Sequence, residues 1–409
     1  MFKKGSNLLF PIFLTYFLDT FGLAVIYPIF TPMILYGEHN LISTALPYFE
    51  KTALLGVVVA AFPFAQFFGA PLIGQFSDRI GRKKTLSFTV FGTAIGYTLT
   101  ATSILLNSFT LLLISRLVTG FFASNLIICL AALADLSPDE PTRARYFGHL
   151  ATLGGLSFVV AIGFGGLLSS LLSPSMPFWI TAALAYLNFL SVHYLFHETH
   201  PTKPPTDMRM LKGMHNIILG IRNPDLRPLY IVTFFFMVTW VATMQFLPAS
   251  LLTRYTFTPL QVTYALIFVG VFWSLANLIL NRILSRKAHP PSTLYVCLLI
   301  LFVSMFGMIF AEDPTIFFLF FYPATVVAAL AWTNSLATIS LKAPNEIQGS
   351  ILGINQSMIS LASMLAPTLG GLFAGAGKHW IFIFTAFCSL MAFALFYRWK
   401  KYHPSNIVK

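Results

Sequence analysis

Two ionisable residues lie where apolar surroundings make charge expensive. They are Asp19 in Leu18-Asp19-Thr20-Phe21-Gly22 and Arg116 in Ser115-Arg116-Leu117-Val118-Thr119-Gly120. Asp19 is the only carboxylate deep within an apolar run long enough to cross a membrane. A carboxyl placed there can bind and release a proton, because its two protonation states differ in charge and so in their cost of burial. An arginine at such depth costs about 3 kcal/mol unless it meets a cavity or a partner. Arg116 is therefore expected either to face solute or to tie helices together, and in the first case to bias the proton affinity of Asp19. At 1.5 Å per residue, Asp19 lies about 16 Å and Arg116 about 20 Å from the same face, so they can approach if their helices pack together.

A second constellation, Gly74-Gln75-Phe76-Ser77-Asp78-Arg79-Ile80-Gly81-Arg82-Lys83-Lys84, concentrates charge and glycine between two apolar runs. Gly74 is expected to let helices approach closely, and Gly81 to permit a tight turn. Asp78 can meet a cation or the positive end of a helix, with Arg79, Arg82 and Lys83 beside it. A third set is polar but uncharged: Gln66, Asn125, Gln245, Asn277, Asn334, Asn355 and Gln356. Together with Trp240, Trp273 and Trp332, these groups suit a ligand that has both apolar and hydrogen-bonding parts. For any one of them, a hydrogen bond between helices is an equal alternative.

The elements that position these residues follow from composition. Of the 409 residues, 57% are hydrophobic and 9% charged, against roughly 25% charged in a soluble domain. So few charges cannot cover a water-exposed surface of this size. Twelve apolar segments reach the roughly 20 residues that a bilayer-crossing helix needs. Their limits are 8–30, 53–76, 85–106, 109–132, 146–171, 177–197, 228–251, 259–282, 292–311, 315–340, 350–375 and 379–399. With the N-terminus cytoplasmic, 21 of the 25 basic residues fall on the inner side. That asymmetry obeys the positive-inside rule and makes both termini cytoplasmic.

A polar stretch, residues 199–227, divides the chain into six-segment halves, 1–198 and 228–409, and from Met208 to Arg222 it has amphipathic spacing suited to an interfacial helix. The halves look related. Ser137-Pro138-Asp139-Glu140 precedes a segment with Gly165-Gly166, and Ala343-Pro344-Asn345-Glu346 precedes one with Gly370-Gly371. Paired six-helix halves are a transporter signature.

The Gly74–Lys84 run resembles the signature loop of the major facilitator superfamily, G-x-x-x-D-R-x-G-R-K-x, at every fixed position. The Arg116–Gly120 spacing is similar to that family's R-x-x-x-G element, which is associated with proton coupling. Asp19, nine residues before Pro28, resembles the first helix of its drug:proton antiporter branch, including tetracycline-type exporters. The fifth segment departs from that branch, with Ala161-Ile162 where antiporters carry Gly-Pro. The resemblance implies an all-α fold of twelve transmembrane helices in two pseudo-symmetric halves. It also implies alternating access, a cytoplasmic latch at Gly74–Lys84 and proton coupling through Asp19 and Arg116.

The chemistry of other classes is missing. No GxxxxGK[ST] loop for nucleotide occurs, and no hydrolytic triad or paired catalytic carboxylates. Cys129, Cys297 and Cys388 sit in apolar stretches, and no histidines have metal spacing. The +12 net charge is clustered between apolar runs and forms no basic face for nucleic acid. The sequence thus reads as a non-enzymatic secondary transporter without a cofactor, in a cell inner membrane and functional as a monomer. Its partners are a small molecule, protons and the lipid bilayer. Proton-coupled efflux of an amphiphilic molecule is the leading expectation. Proton-coupled import of an anionic nutrient or metal-chelating acid is the alternative.

Overall fold

A computed structural model describes residues 2–36, 41–137, 139–199, 215, 218, 222, 224, 226–342 and 348–402. The amphipathic stretch expected between Met208 and Arg222 falls almost wholly outside these residues. Among the described residues, twelve helical spans are long and apolar enough to cross a membrane. They run Leu9–Tyr36, Tyr48–Ile80, Arg82–Leu105, Phe109–Asp135, Thr152–Leu171, Met176–Leu195, Arg227–Arg254, Pro259–Leu284, Pro290–Phe310, Pro314–Leu341, Gly353–Ala376 and Trp380–Tyr402. Each coincides with a segment read from hydropathy.

Helix ends follow from local chemistry. Asp139 accepts from the backbone N–H of Thr142 at 2.7 Å, and Asp313 from that of Thr315 at 2.7 Å. Both are N-caps that satisfy a donor the helix cannot. At Asp313, which lies just outside its span, bonds from Thr315 hold the carboxyl below its ordinary range.

Two spans expected to be continuous are broken. The first ends a helix at Ala24, turns through Val25 and Ile26, and restarts at Tyr27 beside Pro28. Pro28 has no N–H to donate and suits the opening of the new helix. The fourth span ends a helix at Phe122 and restarts at Asn125, with Ala123 and Ser124 outside helical geometry. Backbone groups freed inside a membrane need other partners, and the side chain of Gln66 donates to the carbonyl of Ala123 at 2.6 Å.

The described residues group into two compact units. One comprises Met1–Leu46, Ala61–Lys212 and Pro259–Ile267, and the other comprises Pro47–Ala60, Gly213–Thr258 and Phe268–Lys409. In the first unit the third span packs on the fourth and sixth, and the first span on the fifth and sixth. In the second unit the ninth packs on the tenth and twelfth, and the seventh on the eleventh and twelfth. The same pairings recur six spans later, as the related sequence halves require.

Small residues set the closest approaches, as they must where lipid offers no hydrophobic drive for helix association. A Cβ on Gly120 would stand 2.1 Å from the carbonyl oxygen of Phe62, and one on Gly69 would stand 2.5 Å from that of Phe121. These contacts join the second and fourth spans beside Arg116. In the second unit, a Cβ on Gly371 would meet the carbonyl oxygen of Thr52 at 2.5 Å. Gly74 does not play the part expected of it. A Cβ there would touch only Ile127, at an ordinary 3.7 Å. Overpacking against rigid backbone costs about 1–3 kcal/mol, so Gly120→Ala lowers the melting temperature of the purified protein in detergent. Gly74→Ala leaves it near the wild-type value.

Candidate functional site

The break in the fourth span builds the site. Asn125 opens the second helix of that span, which turns its amide towards the first span. Its Nδ2 donates to Asp19 Oδ1 at 3.0 Å. Its own Oδ1 accepts a short hydrogen bond from the Thr89 hydroxyl on the third span. Three spans are thus joined through one amide, with Asn125 presenting its donor to Asp19 because Thr89 occupies its acceptor. Asp19 Oδ2 is buried and has no protein partner. Asn125, expected to line a substrate cavity, holds one oxygen of Asp19.

Arg116 is fully buried, at 0% exposure. Its guanidinium lies 4.7 Å from the ring centre of Phe62 and 5.7 Å from that of Phe30. None of its three side-chain nitrogens has a hydrogen-bond partner. Aromatic faces attract a cation, by about 2 kcal/mol when desolvated, but they do not replace its lost hydrogen bonds. Among the described residues, Asp19 and Arg116 form no ion pair. Asp19 has instead an amide partner, Asn125, on the span that carries Arg116. Tyr97, which sequence reasoning passed over, lies in the electrostatic field of both residues.

The remaining polar set divides by environment. Asn277 accepts from Thr333 at 2.7 Å and donates to the Trp273 carbonyl at 3.2 Å. Asn334 donates to Asn281 at 3.1 Å. These bonds join the eighth and tenth spans where the eighth widens into a π-helical turn, Ala276–Leu280. Trp240 and Trp273 stack with ring centres 5.3 Å apart. Gln245 and Asn355 are buried, the latter with an unpartnered Oδ1, and Gln356 is exposed. A cavity of about 260 Å³ lies elsewhere in the first unit, lined by Pro28, Pro32, Ser169, Ser170 and Thr263 among others, and none of the expected ligand residues line it.

The charged loop is a packed assembly. Gly81 alone separates the second and third spans, at φ +97°. That left-handed conformation favours glycine, and a Cβ would also meet Glu198 Oε2 at 2.2 Å. Glu198 accepts from the backbone N–H of Arg82 at 2.7 Å and of Lys83 at 3.1 Å. It thereby neutralises the positive end of the third span. Arg82 Nη1 donates to Asp78 and Ser77 at 2.7 and 2.8 Å, and its Nε reaches Asp135 at 3.3 Å. Asp78 and Gly81 thus take the positions expected of them. Arg79 is half-buried. Asp135 and Glu198 are the components the sequence did not reveal.

With this geometry in hand, comparisons with known proteins place the chain. The family model described as Major Facilitator Superfamily matches residues 12–367 and 229–409. The chain is 24% identical over 409 residues to the class E tetracycline resistance protein of Escherichia coli, covering 96% of this chain and 94% of that one. The crystal structure of the human organic anion transporter TETRAN superposes with a TM-score of 0.71 at 20% identity, covering 96% of this chain and 99% of that chain. A D-xylose–proton symporter gives 0.75 at 16% identity, with 98% of each chain covered. At these identities the structural likenesses carry the fold alone.

The Arg82 assembly makes a prediction of its own. Lysine keeps the charge but cannot reach three acceptors as a planar fork does. Arg82→Lys is expected to lower thermal stability in detergent nearly as much as Arg82→Ala. Wild-type melting in the lysine variant would show that charge alone suffices.

Proposed function

This chain belongs to the major facilitator superfamily, and we propose that within it the protein exports a small amphiphilic organic molecule in exchange for protons. It is a multi-pass membrane transporter, not an enzyme. The observation that carries the proposal is the half-buried Asp19 carboxylate of the first span, oriented through one oxygen by Asn125 and with its other oxygen, Oδ2, buried and without a partner. A group so held can exchange a proton with whichever side admits water, and alternating access makes that side change during the cycle. Likeness across nearly the whole chain to a tetracycline resistance protein supports export.

On this reading the protein lies in a bacterial inner membrane with both termini cytoplasmic and works as a monomer. The Gly74–Lys84 loop then sits on the cytoplasmic side, where Arg82 and Glu198 fix it to the first six spans. Gly74, Asp78, Arg79, Gly81, Arg82 and Lys83 act there as the conformational latch.

A second reading rests on Arg116. A buried guanidinium without a hydrogen-bond partner is a suitable receptor for a carboxylate. That favours an anionic compound, moved inward with protons.

Proteoliposomes holding an acid interior separate the readings, with tetracycline or an organic carboxylate added outside. Proton exit on adding the compound is expected, and Asp19→Asn should abolish it. Compound uptake with protons moving the same way would make the protein a symporter. Unchanged coupling in the variant would remove Asp19 from the mechanism.

A further inference from the structure

The two units treat their cations differently. Between the second and third spans, Arg82 pairs with Asp78 and Asp135, and Glu198 receives the backbone N–H groups of Arg82 and Lys83. The matching stretch of the second unit, Asn281-Arg282-Ile283-Leu284-Ser285-Arg286-Lys287, carries cations but no carboxylate. Arg282, Arg286 and Lys287 are exposed there. The twelfth span ends on three more cations, Arg398, Lys400 and Lys401. Among the described residues, none of these six pairs with a carboxylate. The described carboxylates of the second unit, Glu50, Glu312 and Asp313, lie at its other end, where the second span begins and the ninth turns into the tenth.

Aromatic rings shape the surface beside this charge. Tyr295 of the ninth span lies 5.4 Å from Phe393 and 6.3 Å from Tyr397 of the twelfth, centre to centre. The Lys400 ammonium stands 4.6 Å from the centre of the Tyr295 ring. Phe393, Tyr397, Lys400 and Lys401 follow one another at helical spacing along one face of the twelfth span. That face is apolar where it runs beside the ninth span and cationic at its end. Tyr397 is 49% exposed, and Lys401 is exposed as well. A ring face attracts an ammonium but supplies no oxygen for its three N–H donors. Tyrosine is the residue expected at the level of lipid headgroups, where its ring is in hydrocarbon and its hydroxyl in water.

We propose that an anionic phospholipid binds here, its phosphate at Lys400 and Lys401 and its acyl chain along the Tyr295–Phe393–Tyr397 column. Clusters of four to eight cations at the end of a membrane span attract such headgroups. Arg398 lies one turn before Lys401, and Arg286 and Lys287 lie in the turn that leads into the ninth span. The lipid then supplies the negative charge that Asp78, Asp135 and Glu198 supply in the first unit. A zwitterionic lipid brings its own cation and is disfavoured at this surface. The inference depends neither on the direction of transport nor on the role of Asp19.

Lipid retention tests it. Purified full-length protein is equilibrated in micelles with equal amounts of dioleoyl-phosphatidylglycerol and dioleoyl-phosphatidylcholine, then passed through lipid-free detergent. The lipids that remain bound are counted by mass spectrometry, and melting temperatures in lipid-free detergent check that each variant folds. The expected result is retention of phosphatidylglycerol over phosphatidylcholine. Lys400→Gln and Lys401→Gln should each reduce that preference about fivefold, the worth of one cation near an anionic headgroup. Lys400→Arg should keep the preference, as should Lys378→Gln at the opposite end of the unit. Equal retention of the two lipids would overturn the proposal, as would an unchanged preference in both glutamine variants. Displacement of phosphatidylglycerol by inorganic phosphate at equal concentration would also overturn it, by making the occupant a free anion.

Discussion

A carboxylate and a guanidinium are held in the same low-dielectric interior without being allowed to pair, and much of the first unit is arranged around that constraint. Direct pairing would stabilise both ions and remove any reason for the carboxylate to change its protonation. Between Arg116 and the residue that bonds Asp19, the fourth span is broken. The turn at Ala123–Ser124 lets Asn125 begin a new helix and face Asp19, while Gln66 satisfies the carbonyl that the break exposes. The close approach of Gly120 to Phe62 fixes the second span against the fourth and so seats Arg116 under an aromatic ring. Each feature is intelligible as a solution to one problem, which is how to hold charge in a membrane interior without neutralising it.

The charged loop solves the opposite problem on the surface. There one charge is fully engaged: Arg82 gathers Ser77, Asp78 and Asp135, and Glu198 caps the third span. A hydrogen-bonded assembly at one end and an interior with unpartnered polar atoms make a workable pairing for a transporter. The loop can act as a unit, while the interior has hydrogen bonds still to form as the cycle proceeds.

Much of this was legible in the sequence, for a physical reason. Spans announce themselves by apolar length, and the requirement for internal backbone hydrogen bonding leaves helices as the form an apolar run of that length can take. Gly81 could be read because a turn of one residue between helices demands left-handed backbone. Asp19 and Arg116 could be read because charge is conspicuous in apolar surroundings. What could not be read were partners distant in sequence. Glu198 meets the Arg82 backbone from 116 residues away, and Asn125 meets Asp19 from 106. Tyr97 escaped because an aromatic residue in an apolar helix gives no signal. Gly74 shows the converse, since its place in a motif implied a close approach that its surroundings do not require.

The central claim is that Asp19 exchanges its proton for the transported compound. The most direct measurement is proton release when the compound binds purified protein in weakly buffered detergent solution, followed with a pH-sensitive dye. With tetracycline as the probe, the account predicts release of about one proton per compound bound, rising and falling with the protonated fraction of Asp19, and none from Asp19→Asn. Binding without release, or equal release from the variant, would contradict it.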